Sequence, residues 1–133
     1  MLVARRSWFL DCCLWINGVV VLQCFIAPFV GGFVDSIAWV RPGEATSGEW
    51  TLLYLWMCIG WVPVCLAFQG KWLAAYVGTV VSYFAFLAVA CIAWWPHRDG
   101  TPAGDVGPAI FVGCLLITAV LRSAQPADVE SLA

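Results

Sequence analysis

The sequence predicts an all-α integral membrane protein, a bundle of four transmembrane helices joined by short loops. Hydrophobic residues make up 63% of the 133 residues and charged residues only 11%, whereas soluble domains carry about 25% charged residues. A chain of this length cannot bury so much apolar surface in a core of its own. Four apolar segments approach the roughly 20 residues that cross a bilayer. We therefore expect the lipid bilayer to surround most of the chain.

The four apolar segments lie within a single transmembrane domain, residues 1–133, and are separated by polar or turn-forming residues. We expect spans at about residues 8–30, 50–68, 72–95 and 106–121. The fourth segment is the shortest and crosses a bilayer only if it stands nearly upright. Only Gln69, Gly70 and Lys71 separate the second and third segments, so these two should form a tight antiparallel hairpin. The polar tail after the fourth segment is expected to fray.

The distribution of lysine and arginine predicts the orientation of the bundle. If the N-terminus is inside, the cytoplasmic loops carry Arg5, Arg6, Lys71 and Arg122, and only Arg41 and Arg98 lie outside. Because short cytoplasmic loops are enriched in these residues, we expect both termini on the cytoplasmic side. The first apolar segment is longer than the core of a signal peptide, about 7–15 residues, so we expect a retained anchor.

The sequence carries no signature of catalysis or of nucleic-acid binding. The net charge is −2 without a basic cluster, which disfavours a nucleic-acid partner. The seven cysteines lie within or at the ends of the apolar segments and form no C-x-x-C motif, so we interpret them as small buried hydrophobes. For Cys12 and Cys13 an alternative interpretation is acylation, because these two residues follow a basic N-terminus. Catalytic Ser/His/Asp or Cys/His sets are missing, so we expect no enzyme.

The single histidine, His97, follows Trp94, Trp95 and Pro96 at the end of the third segment. Tryptophans concentrate at membrane interfaces, so we interpret His97 as a solvated residue where the helix leaves the membrane. The alternative is an axial ligand of a haem or a chlorophyll-type pigment. The sequence requires no cofactor, and a bound lipid or pigment is compatible with it.

Few polar side chains fall inside the apolar segments. Asp11 lies about one turn into the first segment, and we expect it to pair with Arg5 or Arg6 at the interface. Asn17 and Gln23 lie deeper, where an amide needs hydrogen-bond partners. One interpretation is that they bond other helices of the bundle. The other is that one of them faces a ligand or another chain.

Two tryptophans of the second segment, Trp56 and Trp61, lie deeper than interfacial tryptophans do. Their indole N–H groups need acceptors, such as Gln23 or a backbone carbonyl freed by Pro63. Core packing is one interpretation of these residues. The alternative is an apolar ligand pocket formed by Trp56, Trp61 and Gln23.

Small residues at four-residue spacing indicate where helices approach closely. The third segment contains Ala74, Gly78 and Ser82, and the fourth contains Ala109 and Gly113. We expect these positions to form helix-packing ridges.

Together these features favour a non-catalytic accessory or scaffolding subunit of a larger membrane protein complex. Such a subunit packs against other membrane-protein subunits by helix–helix contacts and can hold lipid or pigment between chains. The alternative is a small stand-alone binder or carrier of an apolar ligand, such as a lipid, sterol or quinone.

Overall fold

The computed structural model describes residues 2–26, 47–93 and 102–126, and its long elements are all helices. In chain order the elements are β1 (Leu2–Ala4), α1 (Trp8–Ile26), α2 (Ser47–Phe68), α3 (Trp72–Ala93), α4 (Pro102–Ser123) and β2 (Ala124–Pro126). Each helix contains a stretch of at least 18 residues that is apolar enough to cross a membrane. The four predicted segments are therefore confirmed as long apolar helices, while residues 27–30 and 94–95 of the predicted spans lie outside the described residues.

Helix α4 is longer than the sequence predicted. It covers Pro102–Ser123, or 22 residues, instead of residues 106–121. Its length is about 33 Å at 1.5 Å per residue, which exceeds a hydrocarbon core of about 30 Å. Pro102 can begin the helix because the first-turn N–H groups have no partner within a helix. The part that is apolar enough to cross a membrane is Val106–Ser123, or 18 residues, so the expectation of a nearly upright crossing stays a prediction.

The turn between α2 and α3 is a Schellman motif, which confirms the predicted tight hairpin. The N–H of Lys71 donates to the carbonyl of Leu66 and the N–H of Gly70 donates to the carbonyl of Ala67, both at 3.0 Å. Gly70 has a φ of 78°, which glycine adopts without strain. The helix thus ends within two residues and the chain reverses.

Helix α3 is the central element, because it contacts α1, α2, α4 and β1. Between 22% and 39% of the residues in each candidate span are buried within the chain. The rest are half-buried or exposed, and the exposed ones are apolar in large part, as in helices that contact lipid or other chains. Most of the buried apolar side chains that the structure describes belong to one of three clusters: Val21, Cys24, Leu53, Trp56 and Met57; Leu10, Tyr76 and Val120; and Leu14, Ala67 and Ala75.

The two chain ends pair with each other at one end of the bundle. Strands β1 and β2 are antiparallel, with Leu2 opposite Pro126. The N–H of Arg5 donates to the carbonyl of Ser123 at 2.7 Å and extends this pairing, which we call the terminal clasp. The expectation of a frayed tail was wrong for residues 124–126. The segments before α1 and after α4 therefore lie on the same side of the bundle.

Candidate functional site

A group of uncharged polar residues joins three helices in the interior of the bundle. The Asn17 Nδ2 of α1 donates to the carbonyl of Gly60 in α2 at 3.0 Å. The Ser82 Oγ of α3 donates to the Asn17 Oδ1 at 2.7 Å. We call Asn17, Gly60 and Ser82 the central polar node. Asn17 thus bonds other helices of its own bundle, as the first interpretation predicted.

Gly60 permits the close approach of α1 and α2 that the central polar node requires. A Cβ atom at this position would overlap Val21 Cγ2 and would lie 3.3 Å from Ser82 Oγ. Val21 is fully buried, and a β-branched side chain in a helix has one strongly preferred rotamer. A side chain at position 60 would therefore push α1 away and weaken the hydrogen bonds of Asn17.

Trp56 lies beside the central polar node and belongs to the core. Its indole Nε1 donates to the backbone carbonyl of Ser82 at 3.0 Å. Its ring centroid is 4.9 Å from that of Phe86, and only 2% of the residue is exposed. Neither of the predicted acceptors, Gln23 and the carbonyl freed by Pro63, receives this bond. The acceptor is instead supplied by the neighbouring helix.

The other two residues of the predicted ligand pocket are less buried than Trp56. Trp61 is half-buried and packs against the same core cluster, and Gln23 is also half-buried. Trp56 and Trp61 therefore share one packed region. A ligand at Trp56, Trp61 and Gln23 stays a prediction.

A charged group, which we call the terminal latch, lies at the end of the bundle that carries the terminal clasp. The Arg6 Nη2 donates to the Asp11 Oδ2 at 2.9 Å, and the Arg6 Nε lies 3.3 Å from both carboxylate oxygens. The Tyr76 hydroxyl donates to the Asp11 Oδ1 and accepts the N–H of Ser7 at 3.3 Å. The Arg6 Cζ lies 3.3 Å from the ring centroid of Trp72, a cation–π contact.

The terminal latch connects the start of α1 to the start of α3. Hydrogen bonding to Asp11 raises the pKa of the Arg6 guanidinium, which therefore stays charged. The predicted pairing of Asp11 with an arginine is confirmed, with Arg6 as the partner. Sequence reasoning missed Tyr76, which is fully buried. Tyr76 lies one turn after Trp72, at the same predicted depth as Asp11. This position could have indicated a contact between the two residues.

On α3, the predicted packing ridge is shifted by one residue at its first position. A Cβ atom on Gly78 would lie 3.3 Å from the ring of Pro63 in α2, so the two backbones are close there. Ser82 and Ala75 are fully buried, but Ala74 is exposed. The face of α3 that packs within the chain thus contains Ala75, Gly78 and Ser82.

Both predicted packing positions of α4 face α3. The hydroxyl of Tyr83 donates to the carbonyl of Ala109 at 2.7 Å. A Cβ atom on Gly113 would lie 2.5 Å from Phe84 Cζ, so the phenyl ring sits directly on the glycine backbone. These contacts attach α4 to the central helix.

His97 lies outside the described residues, as do Trp94 and Trp95. Its interpretation as an interfacial residue and the alternative as an axial ligand both stay predictions. Within the described ranges, no group of three or more His, Cys, Asp or Glu residues could hold a metal ion.

The polar side chains that the structure describes inside the bundle serve its packing. In this part of the chain, every buried side-chain nitrogen and oxygen atom has a hydrogen-bond partner. No family model, curated protein or solved structure matches the chain.

Proposed function

We propose that this chain is a multi-pass integral membrane protein and a non-catalytic accessory or scaffolding subunit of a larger membrane complex. Its surroundings would be the lipid bilayer and the helices of other membrane-protein subunits. The observation that best supports the proposal is the contrast between the interior and the exterior of the bundle.

The interior uses its polar groups to join its own helices. The central polar node ties α1, α2 and α3 together, and the indole of Trp56 adds a bond between α2 and α3. Groups engaged in this way hold the helices in one register. This use of the polar groups fits a structural role better than a transport or catalytic one.

Among the described residues, all four helices expose large apolar side chains. The most exposed large side chains include Trp8, Phe68, Leu121 and Phe111, with exposed fractions from 64% to 82%. Large exposed apolar surfaces mark contacts with a membrane or another protein. On α4 only one stripe packs on α3, so most of that helix is available to a neighbouring chain.

The proposed topology has four crossings with both termini on the cytoplasmic side. The terminal clasp and the turn at Lys71 share one end of the bundle, which also carries Arg5, Arg6 and Arg122. Positive residues favour the cytoplasmic face in short loops. The charge distribution thus supports this orientation.

The mass of the particle that contains the chain tests the subunit role. The full chain, tagged and expressed in its native host, is extracted in a mild detergent and separated by native electrophoresis. A subunit co-migrates with a large complex, and its partners appear in a denaturing second dimension. The matched control is a Gly60→Leu variant, in which the separated helices should not enter the complex although the membrane still retains the chain.

Migration alone or as a small homo-oligomer would contradict the subunit role. That result would favour the second candidate, a stand-alone binder or carrier of an apolar ligand. Lipid extraction of the purified particle and mass spectrometry would then identify what it holds. A Trp61→Ala variant should reduce the amount bound if the predicted pocket exists.

A further inference from the structure

Three exposed cations lie at the end of the bundle that carries the terminal clasp. Arg5 is fixed there because its N–H donates to the carbonyl of Ser123, next to Arg122. Lys71 lies in the turn after Gly70, directly before Trp72. We call Arg5, Lys71 and Arg122 the basic rim. Residues far apart in the sequence are thus brought together by the clasp and the hairpin turn.

The basic rim differs from the neighbouring Arg6 because none of its three residues forms an ion pair with another residue in the part of the chain that the structure describes. Arg6 is occupied by Asp11 and by the ring of Trp72. Among the described residues, the only ion pair is that of Arg6 with Asp11. The latch therefore neutralises its own charge, and the three cations of the rim remain directed at the surroundings.

An exposed tryptophan lies at the same end of the bundle. Trp8 begins α1, two residues after Arg6, and 82% of it is exposed. Tryptophans of this kind mark the headgroup layer of a membrane. The cations of the basic rim therefore lie at the depth where lipid phosphates would be found.

We propose that the basic rim binds the headgroups of anionic phospholipids. The proposal rests on membrane insertion as proposed above and names the lipid class that this end would select. Basic residues next to a membrane helix each strengthen the attraction to anionic lipids, by about five-fold in affinity. The three together give a preference on the order of a hundred-fold over a neutral rim.

Native mass spectrometry of the full chain in mild detergent tests this preference. Phosphatidylglycerol and phosphatidylcholine with the same acyl chains are added in equal amounts, and the retained copies are counted. The wild type should retain phosphatidylglycerol preferentially. The triple variant Arg5→Gln, Lys71→Gln, Arg122→Gln should lose this preference by on the order of a hundred-fold. Its retention of phosphatidylcholine should not change.

Two control variants separate charge from other effects. Arg5→Lys with Arg122→Lys keeps the point charges and should keep the preference. The tail beyond the described residues carries Asp128 and Glu130, so Asp128→Asn with Glu130→Gln should leave retention unchanged or raise it. A fall in retention in either control would contradict the proposal.

Other results would also overturn the proposal. Equal retention of phosphatidylglycerol by the wild type and the triple variant would do so if circular dichroism shows both to be folded. Displacement of the lipid by 10 mM inorganic phosphate, roughly a hundred times the lipid concentration, would assign the cations to a free anion instead.

Alkaline extraction of the chain from membranes distinguishes the failure of this proposal from the failure of the proposed membrane insertion. A chain that stays in the membrane but lacks the lipid preference refutes the basic rim alone, whereas a chain that is extracted refutes membrane insertion.

Discussion

The terminal latch and the central polar node join overlapping sets of helices by different chemistry. The latch is an ion pair whose Arg6 and Asp11 side chains are 52% and 21% exposed. The node uses an amide, a hydroxyl and a backbone carbonyl, and its Ser82 is fully buried. Removing ions from water costs more than their pairing returns unless the site is well solvated or fully hydrogen-bonded. Charge is therefore found where the helices end, and neutral hydrogen bonds are found between them.

The stability of the two regions should also depend on different properties of their side chains. The node depends on a close backbone approach at Gly60, so it should be sensitive to side-chain volume. The latch depends on donors and acceptors around Asp11, so it should be sensitive to the loss of single polar atoms and to salt. Four substitutions test this difference.

The largest effect is expected for Gly60→Ala, because the added methyl group overlaps the buried Val21. We expect the free energy of unfolding to fall by about 3 kcal/mol. The measurement is a titration with sodium dodecyl sulfate in detergent micelles, followed by circular dichroism. The matched control is Gly107→Ala in α4, where a Cβ atom meets nothing within 4 Å. Equal loss in both variants would remove the close approach from the explanation.

The second-largest loss of stability is expected in the terminal latch. Tyr76→Phe removes the hydroxyl that donates to Asp11, and hydrogen bonds to charged groups contribute about 2 kcal/mol. Tyr83→Phe removes a bond to the neutral carbonyl of Ala109, which should cost about 1 kcal/mol. The same titration compares the two. A larger loss for Tyr83→Phe would contradict the importance of the charged acceptor.

These contacts show which parts of the structure could be predicted from the sequence. The spans could be predicted because apolar length is a local property, and the α2–α3 hairpin because Gln69-Gly70-Lys71 leaves no other route. The first turn of α4 was missed because Pro102 and the small residues after it resemble a loop. The terminal clasp was missed because strands of three residues have no recognisable alternation of polar and apolar side chains.

For each contact of the candidate site, the sequence indicated one of the two residues but not its partner. Asp11 was expected to meet an arginine, because an isolated carboxylate in an apolar segment needs a partner. For Asn17, a bond to another helix was one of two interpretations. The partners Tyr76 and Ser82 are each 65 residues away. Only the packing of α1 on α3 brings them together, and a single sequence does not specify that packing.

A smaller effect is expected from loss of the side-chain hydrogen bonds of the node. Asn17→Ala breaks both side-chain bonds of the node and should lower the free energy of unfolding by about 1 kcal/mol, the usual range for such bonds in membrane proteins. A double-mutant cycle with Ser82→Ala isolates the direct bond. Thr118→Ala is the control, since that hydroxyl bonds only within its own helix. Strict additivity of Asn17→Ala and Ser82→Ala would show that their bond contributes nothing.

The smallest effect is expected for Arg6→Gln, because a half-exposed ion pair is screened by water and salt. We expect a loss of about 0.5 kcal/mol at low ionic strength that disappears in about 1 M salt. The loss in Asn17→Ala should be the same at both salt concentrations. If the loss of stability depended on salt equally in the two variants, the conclusion that only the terminal latch relies on charge would be contradicted.

The proposed membrane insertion would place the terminal latch at the interface and the central polar node at depth only if the chain crosses four times and both termini lie on one side. Cysteine accessibility in a cysteine-free background measures this directly. A membrane-impermeant maleimide, added to intact cells, should label Ala45→Cys between the first two helices and should not label Gln125→Cys in β2. Detergent should make both sites reactive. Labelling of Gln125→Cys but not Ala45→Cys would reverse the orientation, and labelling of both in intact cells would contradict the four crossings.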